Sequence, residues 1–301
     1  MKETELFSKN SMYVLRGVSM LLIILHHINH HADIAFGIAI LGRLLDELGY
    51  LSTGVFFLLS GYGLTVSINK NQPITLSYCT KRLFRIFYTF LYAYVFCLVG
   101  LWILGADVTL LDILIDISTL SMPFSPTWFL KTIFCVYVVY FMISYYVKQP
   151  EKQLMILFGI FAVYYIIAYN TLPYYYYVSF FNFLLGSLMV YGYSYISNKR
   201  NVILFLATIC FVIFFYLRLT TLCSLTFSCL SVLAFSVYSF NNRFLQYVGI
   251  HSLIFYLGQF LPLTMDQYIK LGTVPYFIAT YVITFVVAIS FGYVMKLYKK
   301  A

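Results

Sequence analysis

Residues 13–31 read YVLRGVSMLLIILHHINHH. Taken whole, this stretch has as a helix about the length that crosses a hydrocarbon core of about 30 Å. It nevertheless carries Arg16 towards one end and His26, His27, His30 and His31 at the other. Ionisable groups inside a membrane are costly and face a bundle interior or an aqueous cavity. This one helix therefore predicts a multi-helix bundle with a polar interior. Arg16 and His27 are eleven residues apart, close to three whole turns, so they share one face about 16 Å apart along the axis.

The remainder of the chain agrees. Of its 301 residues, 62% are apolar or aromatic and 10% are charged, whereas an ordinary soluble domain is about a quarter charged. Apolar runs of membrane-spanning length fall at about Ser11–Asn29, Leu48–Ile68, Leu83–Leu104, Trp128–Val147, Gln153–Tyr169, Tyr177–Ile196, Val202–Leu217, Leu222–Phe240, Ser252–Ile269 and Pro275–Leu297. The expected fold is all-α, a polytopic membrane protein built as a single bundle of about ten transmembrane helices, with one domain over residues 1–301. Lys2 and Lys9 precede the first run, but no small-residue cleavage site follows, so that run reads as a helix and not a cleaved leader.

Charge sets the expected orientation. Lys and Arg concentrate in short cytoplasmic loops. An inner N-terminus groups Lys2, Lys9 and Arg16, then Lys70, Lys81, Arg82 and Arg85, then Lys148 and Lys152, Lys199 and Arg200, Arg243, and finally Lys296, Lys299 and Lys300 on one side. The outer connections keep only Arg43, Arg218 and Lys270, which predicts N-in and C-in. The connection from Gly105 to Thr127 carries Asp107, Asp112 and Asp116 and no basic residue, and its apolar spacing predicts a short interfacial helix. The net charge of +9 does not mark a nucleic-acid partner, because the basic residues form short clusters and no continuous stripe. Six cysteines without metal-type spacing, nearly all in apolar runs, read as small hydrophobes, with neither disulfide nor zinc.

Several residues have both a plain and a chemical reading. Arg16 can simply snorkel to the inner headgroups, and a lone interfacial His usually just finds a hydrogen-bond partner. Four histidines at one helix end exceed that account. His26 with His30, and His27 with His31, stand four apart as metal or haem ligands do, yet no second helix supplies a partner, so no metal is expected. Ser60, Gly61 and Gly63 let a ligand or another helix approach the backbone. Arg82 and Arg85 lie three apart on one helical face. Topology explains either one alone, and a pair of guanidinium forks beside Arg16 also suits a phosphorylated cytosolic ligand.

Taken together, LRGVSMLLIILHH (15–27), GVFFLLSGYGL (54–64), KRLFRI (81–86), PTWFLK (126–131), FFNFLLGSL (180–188) and GIHSLIFYLGQ (249–259) resemble the acyltransferase 3 family. They run in that family's order over nearly the whole chain. The resemblance implies a multi-pass enzyme, bacterial and in the plasma (inner) membrane. It would move an acyl group, usually acetyl, from a cytosolic coenzyme A thioester to a hydroxyl, often of a cell-surface glycan. Acyl-CoA (acetyl-CoA) is then a co-substrate, with no permanently bound cofactor and membrane lipid around the bundle. His27 becomes the catalytic histidine, Arg16, Arg82 and Arg85 the donor-binding residues, and His26, Ser60, Gly61, Trp128 and Gln259 candidate site-lining residues. Lys131 is more often an ion-pair partner than a catalyst and stays out of the catalytic set. Many family members carry a His after the YL pair of the late helix, where this chain has Gln259, which leaves that position's role open. Nothing hydrolase-like follows Lys300, as in the family's stand-alone form.

A hydroxyl is too weakly acidic to attack a thioester unaided, and an imidazole titrating near neutrality is suited to take its proton. Direct transfer with His27 as general base is expected, and a covalent acyl-histidine stays open. The competing reading is a transporter or flippase for a lipid-linked sugar or another cell-envelope precursor, against which stands the lack of an inverted repeat. A structural membrane protein would tolerate replacement of Arg16, His27, Arg82 and Arg85. The acceptor, the acyl length, homo-oligomerisation and the acidic partner of His27, among Asp33, Asp46 and Glu47, stay open at this point.

Overall fold

The computed structural model describes residues 8–32, 38–70, 74–123, 127–237, 240–265, 268–269 and 272–298. Lys2, Asp33, Pro126, Lys270, Lys299 and Lys300 lie outside them. Helices hold 86% of the structure, and the described residues form no β-strand. In chain order the helices are α1 (Lys9–Ala32), α2 (Ala39–Lys70), α3 (Leu76–Ile103), α4 (Leu110–Thr119), α5 (Trp128–Tyr146), α6 (Pro150–Thr171), α7 (Phe181–Tyr191), α8 (Tyr193–Tyr216), α9 (Thr220–Val237), α10 (Arg243–Ile250), α11 (Ser252–Gly258), α12 (Phe260–Met265) and α13 (Thr273–Tyr298).

Seven of them, α1, α2, α3, α5, α6, α8 and α13, are long and apolar enough to cross a membrane. Helix α9 is a shorter apolar helix, and α10 with α11 and α12 forms a broken apolar segment. The chain is a multi-pass membrane protein. Its outward faces fit that medium: Phe158 and Ile166 on α6, Phe205 and Val212 on α8, and Val282 and Ile289 on α13 are exposed, and only lipid tolerates so large an apolar surface.

Element bounds depart from the sequence reading at several places, among them the start of α3, which lies at Leu76 and not at the expected Leu83. Helix α2 begins at Ala39, well before the expected Leu48, because Arg43 and Glu47 pair at 3.0 Å one turn apart and carry the helix through a charged stretch. The expected run Tyr177–Ile196 is divided at Gly192 between α7 and α8. The expected run from Ser252 continues through Gln259, whose backbone stays helical at φ −68° and ψ −20°, and the 73° bend lies before it, between Arg243–Ile250 and Ser252–Met265. The turn between α8 and α9 falls at Arg218, which takes φ 58°, while Leu219 N donates back to the Phe214 carbonyl at 2.9 Å. This is the left-handed helix stop usually given to glycine.

The described residues of Met1–Ser19, Tyr50–Thr80 and Thr132–Gly249 form one compact unit, and those of Met20–Gly49, Lys81–Lys131 and Ile250–Ala301 a second. The first is centred on Leu15, Val55, Leu58, Leu59, Tyr62 and Val232. Its helices meet through glycine: a Cβ on Gly61 would stand 2.0 Å from the Phe183 carbonyl oxygen, and one on Gly186 2.0 Å from that of Leu58. Helices α2 and α7 thus touch backbone to backbone, the small-residue contact that replaces hydrophobic drive inside a membrane. Beside it, Asn182 donates to the Ser179 carbonyl at 2.9 Å and to Ser224 Oγ at 3.0 Å, and Ser179 Oγ to the Tyr50 carbonyl at 2.8 Å.

In the second unit α11 and α12 pack on α13, with Phe255 and Phe285 ring centroids 4.9 Å apart. Tyr92 joins α3 to α13 through Ser290 Oγ at 2.9 Å. The short helix expected in the 105–127 connection is α4. Thr109 and Asp112 cap it reciprocally: Thr109 Oγ1 accepts from Asp112 N at 3.2 Å, and Asp112 Oδ2 accepts from Thr109 N at 3.0 Å. Tyr94 ties α4 to α3 through Asp116 Oδ2 at 3.1 Å.

Candidate active site

The histidines of α1 lie in the second unit, where the neighbouring stretch of α2 closes on them. His26 Nδ1 is 3.1 Å from the Leu45 carbonyl. A carbonyl oxygen only accepts, so Nδ1 carries the proton. The opposite edge of the ring lies against Gly49: a Cβ there would stand 2.5 Å from both Cδ2 and Nε2. The His30 and His27 rings pack on the same imidazole, at centroid distances of 4.6 and 5.2 Å. His26 is therefore clamped, with its tautomer and orientation fixed by α2 and by its own helix. Among the described residues no group of three or more His, Cys, Asp or Glu side chains is arranged to hold a metal ion.

His27 is half-buried and turns to another neighbour, Phe260 of α12, with ring centroids 6.3 Å apart. From Phe260 an aromatic row runs through Tyr256 at 5.4 Å and Phe129 at 5.3 Å to Trp128 at 6.1 Å. Residues more than two hundred positions apart in sequence are joined in this way, and the row links His27 to Trp128. Gln259 directly precedes Phe260 and is fully buried, and neither Oε1 nor Nε2 has a hydrogen-bond partner among the described residues.

The acidic residues near His26 have other partners. Asp46 Oδ1 accepts from Asn29 Nδ2 at 3.0 Å, and Glu47 accepts from Arg43 Nε at 3.0 Å. The charge of Asp116 acts on Lys131 in the same unit. Partial burial pushes the Asp116 carboxyl above its usual range against the opposing pull of the Tyr94 hydrogen bond.

The remaining sequence candidates are placed as follows. Arg16, in the first unit, donates from Nη2 to the Leu59 carbonyl of α2 at 3.3 Å. A Cβ on Gly63 would come within 3.9 Å of the same Nη2. Ser60 is half-buried on this stretch of α2, and Gly61 is buried against Phe183. Arg82 and Arg85 stand in the early turns of α3, in the second unit, Arg82 half-buried and Arg85 exposed. A crevice of about 210 Å³ in the first unit, lined by Leu185, Leu188, Met189, Ile203, Cys229 and Leu233 among others, holds none of these residues and offers no polar chemistry.

Leu45 escapes a reading of the sequence alone because the charges around it suggest a loop, and Gly49 because nothing in its own helix names the ring it meets. The signal available is the small residue Gly49 one turn past Leu45 in RLLDELGYL (43–51).

The comparisons with known proteins bear on this arrangement directly. Residues 9–293 match the Acyl_transf_3 family model, described as an acyltransferase domain. No curated protein and no solved structure matches the chain. Since the matched stretch takes in the α1 histidines, Arg16, the arginine pair of α3, the aromatic row and Gln259, and leaves only the two ends outside, the chain belongs to the acyltransferase 3 family.

Proposed function

We propose that this membrane acyltransferase takes an acyl group, acetyl by preference, from cytosolic acyl-CoA and passes it to a hydroxyl of a carbohydrate acceptor, a cell-surface glycan, in a bacterial plasma membrane. The chain crosses that membrane ten times from an inner N-terminus to an inner C-terminus, and residues 1–301 act as one domain. Arg16, Arg82 and Arg85 hold the donor's phosphates as guanidinium forks do. Arg16 and His27 lie about 16 Å apart along continuous α1, a span the pantetheine arm covers.

In the reaction, His27 removes the proton of the acceptor hydroxyl. The oxygen attacks the thioester carbonyl carbon, the carbon–sulfur bond breaks, and the departing coenzyme A thiolate takes the proton back from the imidazolium. His26, Ser60, Gly61, Trp128 and Gln259 line the path.

The observation that carries this reading is the division of labour between adjacent histidines in an acyltransferase family member. His26 is held by Leu45 and Gly49, and His27 faces the aromatic row. The test supplies purified protein in lipid with labelled acetyl-CoA and glycan extracted from the source cells. The expected product is an alkali-labile acetyl ester on the glycan. Acetyl-CoA that is neither bound nor consumed, together with movement of a lipid-linked sugar across the bilayer, would replace this reading with the transporter.

A further inference from the structure

Gln259 stands apart from the other buried amide side chains among the described residues. Gln153 donates from Nε2 to the Val147 carbonyl at 2.6 Å, Asn29 from Nδ2 to Asp46 Oδ1 at 3.0 Å, and Asn182 from Nδ2 to the Ser179 carbonyl at 2.9 Å. Intramembrane hydroxyls are mostly returned to their own helices: Thr89 to the Arg85 carbonyl, Thr264 to that of Phe260 and Thr280 to that of Tyr276. Gln259, with 0% exposure, leaves both amide atoms unpartnered among the described residues. Close by, Thr284 Oγ1 is equally buried and unpartnered, and the Thr284 Cα is 3.7 Å from where a Cβ on Gly258 would stand. Burying an amide with neither atom paired is expensive. At Gln259, between α11 and α12 and one residue from the ring that meets His27, a ligand can recover that cost.

The chemistry of the vacant groups indicates the ligand. A carboxamide offers an acceptor oxygen and a donor nitrogen side by side. Neighbouring hydroxyls on a sugar ring complement it, one donating to Oε1 and the next accepting from Nε2. The row of Phe260, Tyr256, Phe129 and Trp128 supplies apolar faces for the ring carbons. We propose that Gln259 is the acceptor-positioning residue, which grips hydroxyls adjacent to the one that His27 deprotonates. This rests on the reading of the protein as a glycan O-acyltransferase.

The experiment compares wild type, Gln259→Leu and Gln259→His, each as full chain in lipid, for initial rates of transfer over a range of source glycan, for acetyl-CoA binding and for the thermal midpoint. Gln259→Leu is expected to raise KM for the glycan about tenfold or more, the loss of one or two neutral hydrogen bonds. It leaves acetyl-CoA affinity as in wild type and does not lower the midpoint, since the amide has no protein partner to lose. Gln259→His restores much of the glycan affinity, because a neutral imidazole also has one donor and one acceptor. Unchanged KM for the glycan in Gln259→Leu, a loss confined to acetyl-CoA affinity, or a lowered midpoint that Gln259→His does not mend would each overturn the proposal. A wild-type protein that transfers nothing from acetyl-CoA overturns the underlying reading, and the proposal with it.

Discussion

Gly49→Ala tests the clamp on His26. The new methyl would stand 2.5 Å from Cδ2 and Nε2 of the imidazole, where ordinary contact begins at 3.4 Å, so the ring must retreat by about 0.9 Å. The ring cannot retreat and keep what holds it. The 3.1 Å bond to the Leu45 carbonyl is worth roughly 1 kcal/mol net, and overpacking a filled site costs about 1–3 kcal/mol. A loss of about 2–4 kcal/mol is therefore expected. Displacing a group beside the reacting centre by about 1 Å costs up to ~100-fold in rate, so transfer falls well beyond what stability alone explains.

The assay is a double-mutant cycle in lipid, with thermal unfolding and transfer measured for wild type, Gly49→Ala, His26→Ala and the pair. With His26 truncated, the methyl has room, and Gly49→Ala should then cost little. Equal costs of Gly49→Ala in the two backgrounds would refute the reasoning, because the steric conflict would then lie elsewhere.

Gly61→Ala and Gly186→Ala each place a methyl 2.0 Å from a carbonyl oxygen across the α2–α7 contact. Each should cost about 1–3 kcal/mol, read as a lower thermal midpoint. A Gly61→Ala protein that keeps its midpoint would count against the backbone contact with Phe183. Arg218→Gly, at φ 58° on an exposed turn, should stabilise by about 0.5–1 kcal/mol, and an unchanged or lower midpoint would count against a left-handed stop there. The Thr109 hydroxyl and N–H hold the Asp112 carboxyl below its usual range. The cap it makes is therefore fully present above the ordinary carboxylate pKa and is lost as pH falls through the depressed value. Amide exchange at the start of α4 should accelerate there, and Asp112→Asn should remove that acid response.

The fold was legible wherever apolar length decides it, as in α1, α5, α6 and α13, because crossing a membrane leaves few solutions. It was less legible where local chemistry overrides composition. Arg43, Asp46 and Glu47 looked like loop residues, yet an i, i+4 pair and a bond to Asn29 keep them helical. The stop at Arg218 carries no glycine or proline to announce it. Within the site, the stretch holding His27 stands out by itself, since histidines in an apolar run need a reason. The aromatic row from His27 to Trp128 could not be read, because it joins α1, α5, α11 and α12 through contacts that no local spacing encodes. Gly61 shows the same ambiguity from the other side: a small residue makes room, and only the structure names Phe183 as the backbone that fills it.

The central claim is that His27, and not its neighbour, takes the proton. The direct measurement is initial acetyl transfer from labelled acetyl-CoA to glycan by His27→Ala and His26→Ala side by side, at matched folded protein and saturating donor. A general base contributes about 10²–10⁴-fold, so His27→Ala should fall by at least the lower figure. His26→Ala, which loses only a positioning neighbour, should fall by less. Transfer that survives in His27→Ala, or that fails only in His26→Ala, would contradict the account.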